Sequence, residues 1–275
     1  MLNAVEIEQR KRWREIACAI VFVLQALSAC AQTNPAPQQP PEEELQNEDD
    51  PTKAVFFSVR NEFFNLQDGA WINAVIFRTD RAFLKKHRRL GGKVGVLTRF
   101  EIPQVTSHIG GATHAGLGDL YAQLLYVPWL TPGFAVAMGS GLVFPTATDE
   151  RLGGGKWRAA PLVAPVWFFP RRGFFLVKFQ QHVSFAGDAD RPDSNFLLTT
   201  PTLLYRFHRK WWIHADTEMK TDWERGNHAS FRSSFGIGRM FASRYGVLIK
   251  PEVPWGPHRE GDWALKLVIT RHRSR

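Results

Sequence analysis

The feature that most restricts this chain is a two-residue alternation that persists too long for an ordinary soluble strand. Residues 211–223 read WWIHADTEMKTDW. After Trp212, the even positions His214, Asp216, Glu218, Lys220 and Asp222 are all polar. The odd positions Trp211, Ile213, Ala215, Thr217, Met219, Thr221 and Trp223 are mostly apolar. A period of two excludes an amphipathic helix. The run also exceeds the roughly 5–6 residues usual for a soluble strand and matches the ~9–11 that a tilted strand needs to cross a bilayer.

The pattern recurs along the chain. In 174–185, Phe175, Val177, Phe179, Val183 and Phe185 oppose Lys178, Gln180, His182 and Ser184. In 228–241, Phe231, Phe235 and Ile237 oppose Ser230, Arg232, Ser234 and Gly236. Segments 246–254 and 263–271 alternate likewise. Further strands are expected at 54–66, 92–102, 117–128, 133–145, 157–169 and 195–207, with 71–79 the least regular. The sum is about 12, or ten if the first hairpin is discounted, and bacterial barrels have even counts. The expected fold is therefore all-β: an antiparallel, up-and-down transmembrane β-barrel over residues 54–275.

Turn lengths and tryptophans test this expectation. Short connections at 131–133, 170–173, 208–210 and 242–244 fall where periplasmic turns should lie. Longer polar segments at 103–116, 146–156, 187–194 and 256–262 read as outer loops. Two connections break the trend: 67–70 is short for an outer loop, and 80–90 is long for an inner turn. All nine tryptophans after the leader lie at or near an expected strand end, where an amphipathic ring prefers the headgroup region.

The N-terminus supplies an export signal. Residues 1–29 read as a cleaved signal helix, with Arg10, Lys11, Arg12 and Arg14 before the apolar run from Ile16 to Leu27. Leu27-Ser28-Ala29-Cys30 has the form of a lipobox, which would make Cys30 the acylated first residue of the mature chain. Ala29-Cys30-Ala31 fits ordinary cleavage after Ala31 equally well. Residues 30–53, rich in Pro, Gln and Glu, read as a disordered periplasmic tether.

Bulk properties agree with a barrel. The apolar content is 44% and the mean hydropathy is slightly negative, as expected when lipid-facing and lumen-facing residues alternate. After the leader no run of ~18 apolar residues occurs, which excludes a helical membrane protein. The net charge of +9 is scattered along strands and turns and comes with no nucleic-acid motif, so no nucleic-acid partner is expected. The only two cysteines, Cys18 and Cys30, fall in the first 30 residues, leaving no disulfide framework beyond them. A soluble lipoprotein with a β-sandwich is the alternative fold; it predicts shorter strands and core tryptophans.

Strand parity assigns candidate lumen-lining residues: Arg60 and Glu62; Arg99 and Glu101; Arg158; Lys178, Gln180 and His182; Arg206; His214, Asp216, Glu218, Lys220 and Asp222; Arg232; Lys250 and Glu252; and Lys266. Two readings compete. These groups line a narrow water-filled pore for a small solute, or they pair across the lumen and close it. An outer-membrane lipase would need an outward Ser with a His neighbour. Ser233 has none in its own strand or in 211–223, so no catalytic residues are assigned. Gly153-Gly154-Gly155-Lys156-Trp157 lacks the Ser or Thr and the helix of a phosphate-binding loop, and reads as a flexible outer loop. Asp188, Asp190 and Asp193 read as a solvated loop, and His108 with His114 lacks further ligands. No metal or cofactor is expected. The expected partners are outer-membrane lipids, the insertion machinery and a small solute.

Several motifs carry a family resemblance. They are Gly116, Gly118 and Asp119 before a strand; Pro145, Thr146, Thr148 and Asp149; Gly155, Lys156 and Trp157; and Ser184 to Asp188 with Arg191, Asp193 and Asn195. Asp222-Trp223-Glu224 and Gly261-Asp262-Trp263 continue it. In these residues the chain resembles the neuromedin U-like "transporter" barrels, close to the phenol meta-pathway outer-membrane family. The resemblance spans most of 54–272 and implies an outer-membrane location and a transport role without a defined substrate. Such barrels end in an aromatic residue that the insertion machinery reads. Here the sequence closes with Arg271-His272-Arg273-Ser274-Arg275, a departure from that pattern under which recognition would need an internal signal.

Overall fold

The computed structural model describes residues 55–87, 92–170, 172–208, 210–241 and 245–272. The signal peptide, the tether and the choice between Cys30 and Ala31 as cleavage site lie outside them. Thirteen strands follow in chain order: β1 Val55–Asn65, β2 Trp71–His87, β3 Gly92–Ile109, β4 Ala112–Leu117, β5 Leu120–Leu130, β6 Phe134–Phe144 and β7 Lys156–Phe169. The rest are β8 Gly173–Gly187, β9 Asn195–His208, β10 Trp211–Asp222, β11 His228–Phe241, β12 Tyr245–Trp255 and β13 Trp263–His272. Strands β4 and β5 are two halves of one barrel strand, interrupted at Gly118-Asp119. β3 pairs with β4 along its outer half and with β5 along its inner half.

With β4 and β5 counted as one, consecutive strands pair antiparallel, and β1 pairs with β13 to close a twelve-stranded barrel. The closing seam runs from Phe56↔His272 to Asn65↔Trp263 without a register shift. Closure leaves the bilayer-spanning strands without a free edge, as lipid requires, because there no water can satisfy a free amide or carbonyl; β4, beyond the break, pairs with β3 alone.

The structure corrects the expected boundaries at both irregular connections. Segment 80–90 is not a long turn: β2 continues to His87 and pairs through Lys86↔Lys93 and His87↔Gly92 with β3. Segment 103–116 is not an outer loop either. It is a hairpin that carries β3 and β4 to a two-glycine turn, where Gly110 (φ 63°) and Gly111 (φ 80°) take the left-handed conformations a type I′ turn demands. Alternation weakens in these stretches because charged and polar residues occupy outward positions (Arg81 and Lys85 on β2, Gln104, Thr106 and His108 on β3, Thr113 on β4), so periodicity alone truncated two real strands. The first hairpin is part of the barrel, and the count is twelve rather than ten.

The exterior is apolar and exposed: Leu124 is 58% and Phe185 62% accessible, and Phe77, Phe179, Phe235, Ile249 and Val253 are exposed too. Tryptophans form two girdles. Trp71, Trp157, Trp223, Trp255 and Trp263 mark the end carrying the long loops, and Trp129, Trp167 and Trp211 the end carrying the short turns. Phenylalanines brace them, with Phe63 between Trp71 (5.9 Å) and Trp263 (5.3 Å), and Phe134 between Trp129 (5.7 Å) and Trp167 (5.6 Å). From Trp211 to Trp223 a strand tilted by about 40° rises about 30 Å along the barrel axis, close to the ~25 Å apolar band of such barrels. The ninth tryptophan corrects the sequence reading: Trp212 points inward and is only 7% exposed.

A barrel of this kind resists unfolding by detergent until heated. Unboiled protein is expected to migrate faster on a denaturing gel than boiled protein. Phe235→Asp, placing a carboxylate in the lipid-facing belt, should abolish the fast band or cut its yield severalfold.

Candidate functional site

The inside of the barrel divides into three levels. Nearest the short turns it is filled by apolar side chains. Ala135, Val166, Phe174, Leu176, Leu204, Trp212, Met240, Leu248 and Val268, contributed by eight strands, form one buried cluster with Leu130 and Phe168 against it. Leu97, Leu125, Val127, Ala137, Leu162 and Ala164 form a second. Val166 and Val127 are 0% exposed, so water is excluded around them. The Trp212 indole lies directly on Gly238, where any β-carbon would collide with it.

Above the plug, one wall carries a continuous ladder of alternating charge. Asp80 joins Arg99 (3.0 Å) to Arg78 (2.5 Å), and Arg78 reaches Glu101 (3.8 Å). Glu101 meets Arg60 (3.5 Å), Arg60 meets Glu62 (2.7 Å), and Glu62 meets Lys266 (3.4 Å). Lys266 meets Glu252 (3.1 Å), Glu252 also holds Lys250 (3.3 Å) and Arg232 (3.8 Å), and Lys250 meets Asp216 (2.6 Å). His214 Nδ1 lies 3.2 Å from the same Asp216 carboxylate. These groups come from β3, β2, β1, β13, β12, β11 and β10. Two neighbours of opposite sign sustain most members, which is the arrangement that lets charges leave bulk water.

The opposite wall, β5 to β9, contains no Asp or Glu at all. Lys156, Arg158, Lys178, His182 and Arg206 occupy its inward positions, with Gln180 donating to the Tyr121 hydroxyl (3.0 Å). His182 stacks on Phe196 (4.7 Å), and Lys220 lies over the same ring (5.0 Å). Neither ring nitrogen of His182 nor Nε of Arg158 has a hydrogen-bond partner among the described residues. Glu218 lies on the inward face of β10, next to Lys220.

The third level is an outer vestibule, a cavity of about 480 Å³ lined by Gln67, Lys220, Asp222, Arg225, His228 and Ser230 with loop residues 256–260. Glu260 reaches in to Lys220 (2.7 Å), and the His228 and His258 rings stack at 3.8 Å.

The resemblance motifs come together in one hydrogen-bonded clasp at this mouth. The break at Gly118-Asp119 turns the Asp119 carboxylate onto the loop 145–155, where it accepts from the amides of Ala147 (3.3 Å) and Gly154 (2.7 Å). Thr148 Oγ1 accepts from the Leu117 amide (3.1 Å) and Thr146 Oγ1 from that of Leu120 (3.0 Å). Gly116 and Gly118 leave room where Thr148, Leu152 and Val105 pack. Arg191 donates to the carbonyls of Glu150 (2.5 Å) and Gly153 (2.7 Å), the Asp188 amide donates to Gly155 (3.0 Å), and Lys156 pairs with Asp193 (3.1 Å). Leu152 is thereby buried against Ala74, Ile76 and Val105. The glycine-rich segment is thus a pinned strap, correcting its reading as a flexible outer loop. The signal was the pairing of Asp119 with a Gly-rich loop, whose bare amides need an acceptor. Pro145 starts the loop, and Trp157 meets Phe144 edge-on outside (5.2 Å).

Two carboxyls of the clasp lie outside the membrane-spanning strands. Asp149, accepting from the Arg151 amide and facing His114, and Asp193, held by Lys156 and Ser184, both sit below the ordinary carboxylate range. A depressed carboxyl contributes fully above its unfolded value and loses that contribution as pH falls through its folded value. These two contributions to the clasp are therefore lost in acid.

The remaining sequence candidates are separated or engaged elsewhere. His108 contacts Thr113 (2.8 Å) and stacks on Trp71, whereas His114 contacts Asp149 (3.1 Å). Ser233 is engaged by Trp255 Nε1 (2.9 Å) and Thr217 (3.0 Å). Among the described residues no group of three or more His, Cys, Asp or Glu is placed to hold a metal ion. Of Arg78 and Asp80, the most buried pair of the ladder, Asp80 escaped the sequence reading because β2 was ended at residue 79, and Arg78 because the irregular segment 71–79 was given no inward face. Carrying the parity of Ala74 and Ile76 onward would have found both.

No protein-family model matches the chain, and no curated protein matches it. Solved structures do. An outer-membrane channel from Pseudomonas putida F1 superposes with a TM-score of 0.62 at 11% identity, covering 86% of this chain and 99% of that one. The NanC porin gives 0.54 at 10% identity, covering 79% and 100%. The KdgM porin gives 0.51 at 10% identity, covering 80% and 100%. At these identities the likeness is one of fold. With the apolar belt and paired girdles, it defines the chain as an outer-membrane β-barrel of the architecture that channels and porins share.

Two substitutions test the site. Asp119→Ala should release the strap and expose the bond after Arg151 to trypsin, raising its cleavage rate at least about tenfold in the folded protein. Glu252→Ala should leave Lys250, Lys266 and Arg232 short of a counter-charge and destabilise the barrel by about 3 kcal/mol, read as a lower urea midpoint in lipid vesicles.

Proposed function

We propose that this barrel is an outer-membrane channel for small hydrophilic solutes with a preference for anions. The observation that supports it is the asymmetry of the lumen. A wall of mutually neutralised charges faces a wall with inward cations and no carboxylate. A solute carrying a carboxylate or phosphate gains from Lys178, Arg158 and His182, whereas most carboxylates that a cation meets are already paired within the ladder. The vestibule gathers the solute, and the carboxylate-free wall guides it past Lys220 and Phe196.

In this reading the apolar plug is the gate. Side chains from eight strands must part before anything passes to the short-turn end, so the conformation described is the shut one. The barrel acts by conduction rather than catalysis. The motifs that form the clasp support placing the chain beside the neuromedin U-like and phenol meta-pathway barrels. Outer-membrane lipids and the insertion machinery are its partners in this reading.

Single-channel recording in planar bilayers tests the proposal. Wild-type protein should show brief, anion-selective openings. Arg158→Gln with Lys178→Gln should shift the reversal potential toward zero, and Trp212→Ala should lengthen the openings or raise the conductance. Well-folded protein that never conducts, with or without Trp212, would remove the channel reading and leave a closed structural barrel.

A further inference from the structure

The short-turn end carries a charge pattern that conduction does not use. Arg81 and Lys85 on β2, Arg172 and Lys210 in turns, Arg239 on β11 and Arg271 on β13 are all exposed there. Among the described residues this end has no exposed carboxylate. The nearest acid, Asp80, points inward and is 4% exposed. The loop end is different, since Asp68, Glu150, Asp188, Asp190 and Glu224 are exposed among its arginines.

We propose that this collar binds anionic phospholipid headgroups of the leaflet at the short-turn end. Three observations favour lipid over a protein partner. The cations are spread around the circumference, from β2 through the β7–β8 and β9–β10 turns to β11 and β13, as an annulus of lipid requires and a single docking patch does not. Arg81, Lys85, Arg239 and Arg271 occupy outward strand positions, on the face that carries the apolar belt. The Arg239 guanidinium lies over the rings of Trp211 (4.9 Å) and Phe241 (5.2 Å), which holds its charge at the aromatic girdle where headgroup phosphates lie. Cations at that depth attract anionic headgroups over zwitterionic ones. The inference concerns the exterior and holds whether or not the lumen conducts.

Quenching of tryptophan fluorescence by brominated lipids tests it. The full chain, folded into phosphatidylcholine vesicles containing phosphatidylglycerol, is compared with either lipid brominated at equal mole fraction. Brominated phosphatidylglycerol should quench at least about twofold more strongly, and raised salt should reduce the difference. Combined Arg81→Gln, Lys85→Gln, Arg239→Gln and Arg271→Gln should erase the preference while the heat-modifiable gel shift persists. Arg239→Gln alone provides a milder variant should the combination not fold, and is expected to reduce the preference. Arg151→Gln, at the loop end, should leave it unchanged. Equal quenching by the two lipids in wild-type protein, or a preference that survives the substitutions in folded protein, overturns the proposal. The latter result would place the collar's role in contact with an acidic protein instead.

Discussion

Everything in this molecule depends on one ladder of backbone hydrogen bonds, the pairing of β1 with β13. A sheet that stopped short of it would present bare amides and carbonyls to hydrocarbon, each costing several kcal/mol. With the seam closed, alternate side chains are committed to lipid and the others to the lumen. The apolar belt, the tryptophan girdles, the plug and the charge ladder are all results of that division. The interior is also assembled from residues far apart in sequence. Glu62 and Lys266 meet because the first strand lies beside the last.

Much of the fold was legible because lipid enforces a strict rule on one face. The alternation in β8, β10 and β11 follows from that rule and located those strands directly. Legibility failed where outward positions need not be greasy. The outer half of β3 carries Gln104, Thr106 and His108 outward, opposite Val75, Asn73 and Trp71 of β2, and periodicity there gives no signal. The site was legible only as parity. Sequence indicates which residues share a face, but not which strands are brought across the lumen from one another. That Glu101 would bind Arg60 depends on β2 carrying its own charges at Arg78 and Asp80; the first was hidden by the weak alternation of 71–79 and the second by a strand end placed eight residues early. Trp212 shows a different limit. An aromatic ring near a strand end suits a girdle or a plug equally well, and its inward parity decides between them.

The interior combines two solutions to the problem of placing charge inside a barrel. On one side acid and base alternate and satisfy one another, giving a stiff wall that offers little to a visitor. On the other, carboxylates are absent and cations face a shared space, so that wall is the responsive one. The clasp at the mouth belongs with the stiff elements. It binds a glycine-rich strap through backbone amides, holding the strap in place without adding side-chain bulk to the opening.

The Glu62–Lys266 pair has a consequence for how the barrel reaches its final form. A one-residue slip at the seam would set Glu62 against Leu267 and turn Lys266 out into hydrocarbon, along with every other inward residue of β13. The backbone alone is nearly indifferent to such a slip, since it makes as many hydrogen bonds in either frame. The charge facing the lumen is not, and it acts as a proofreading mark that only the native frame of closure satisfies.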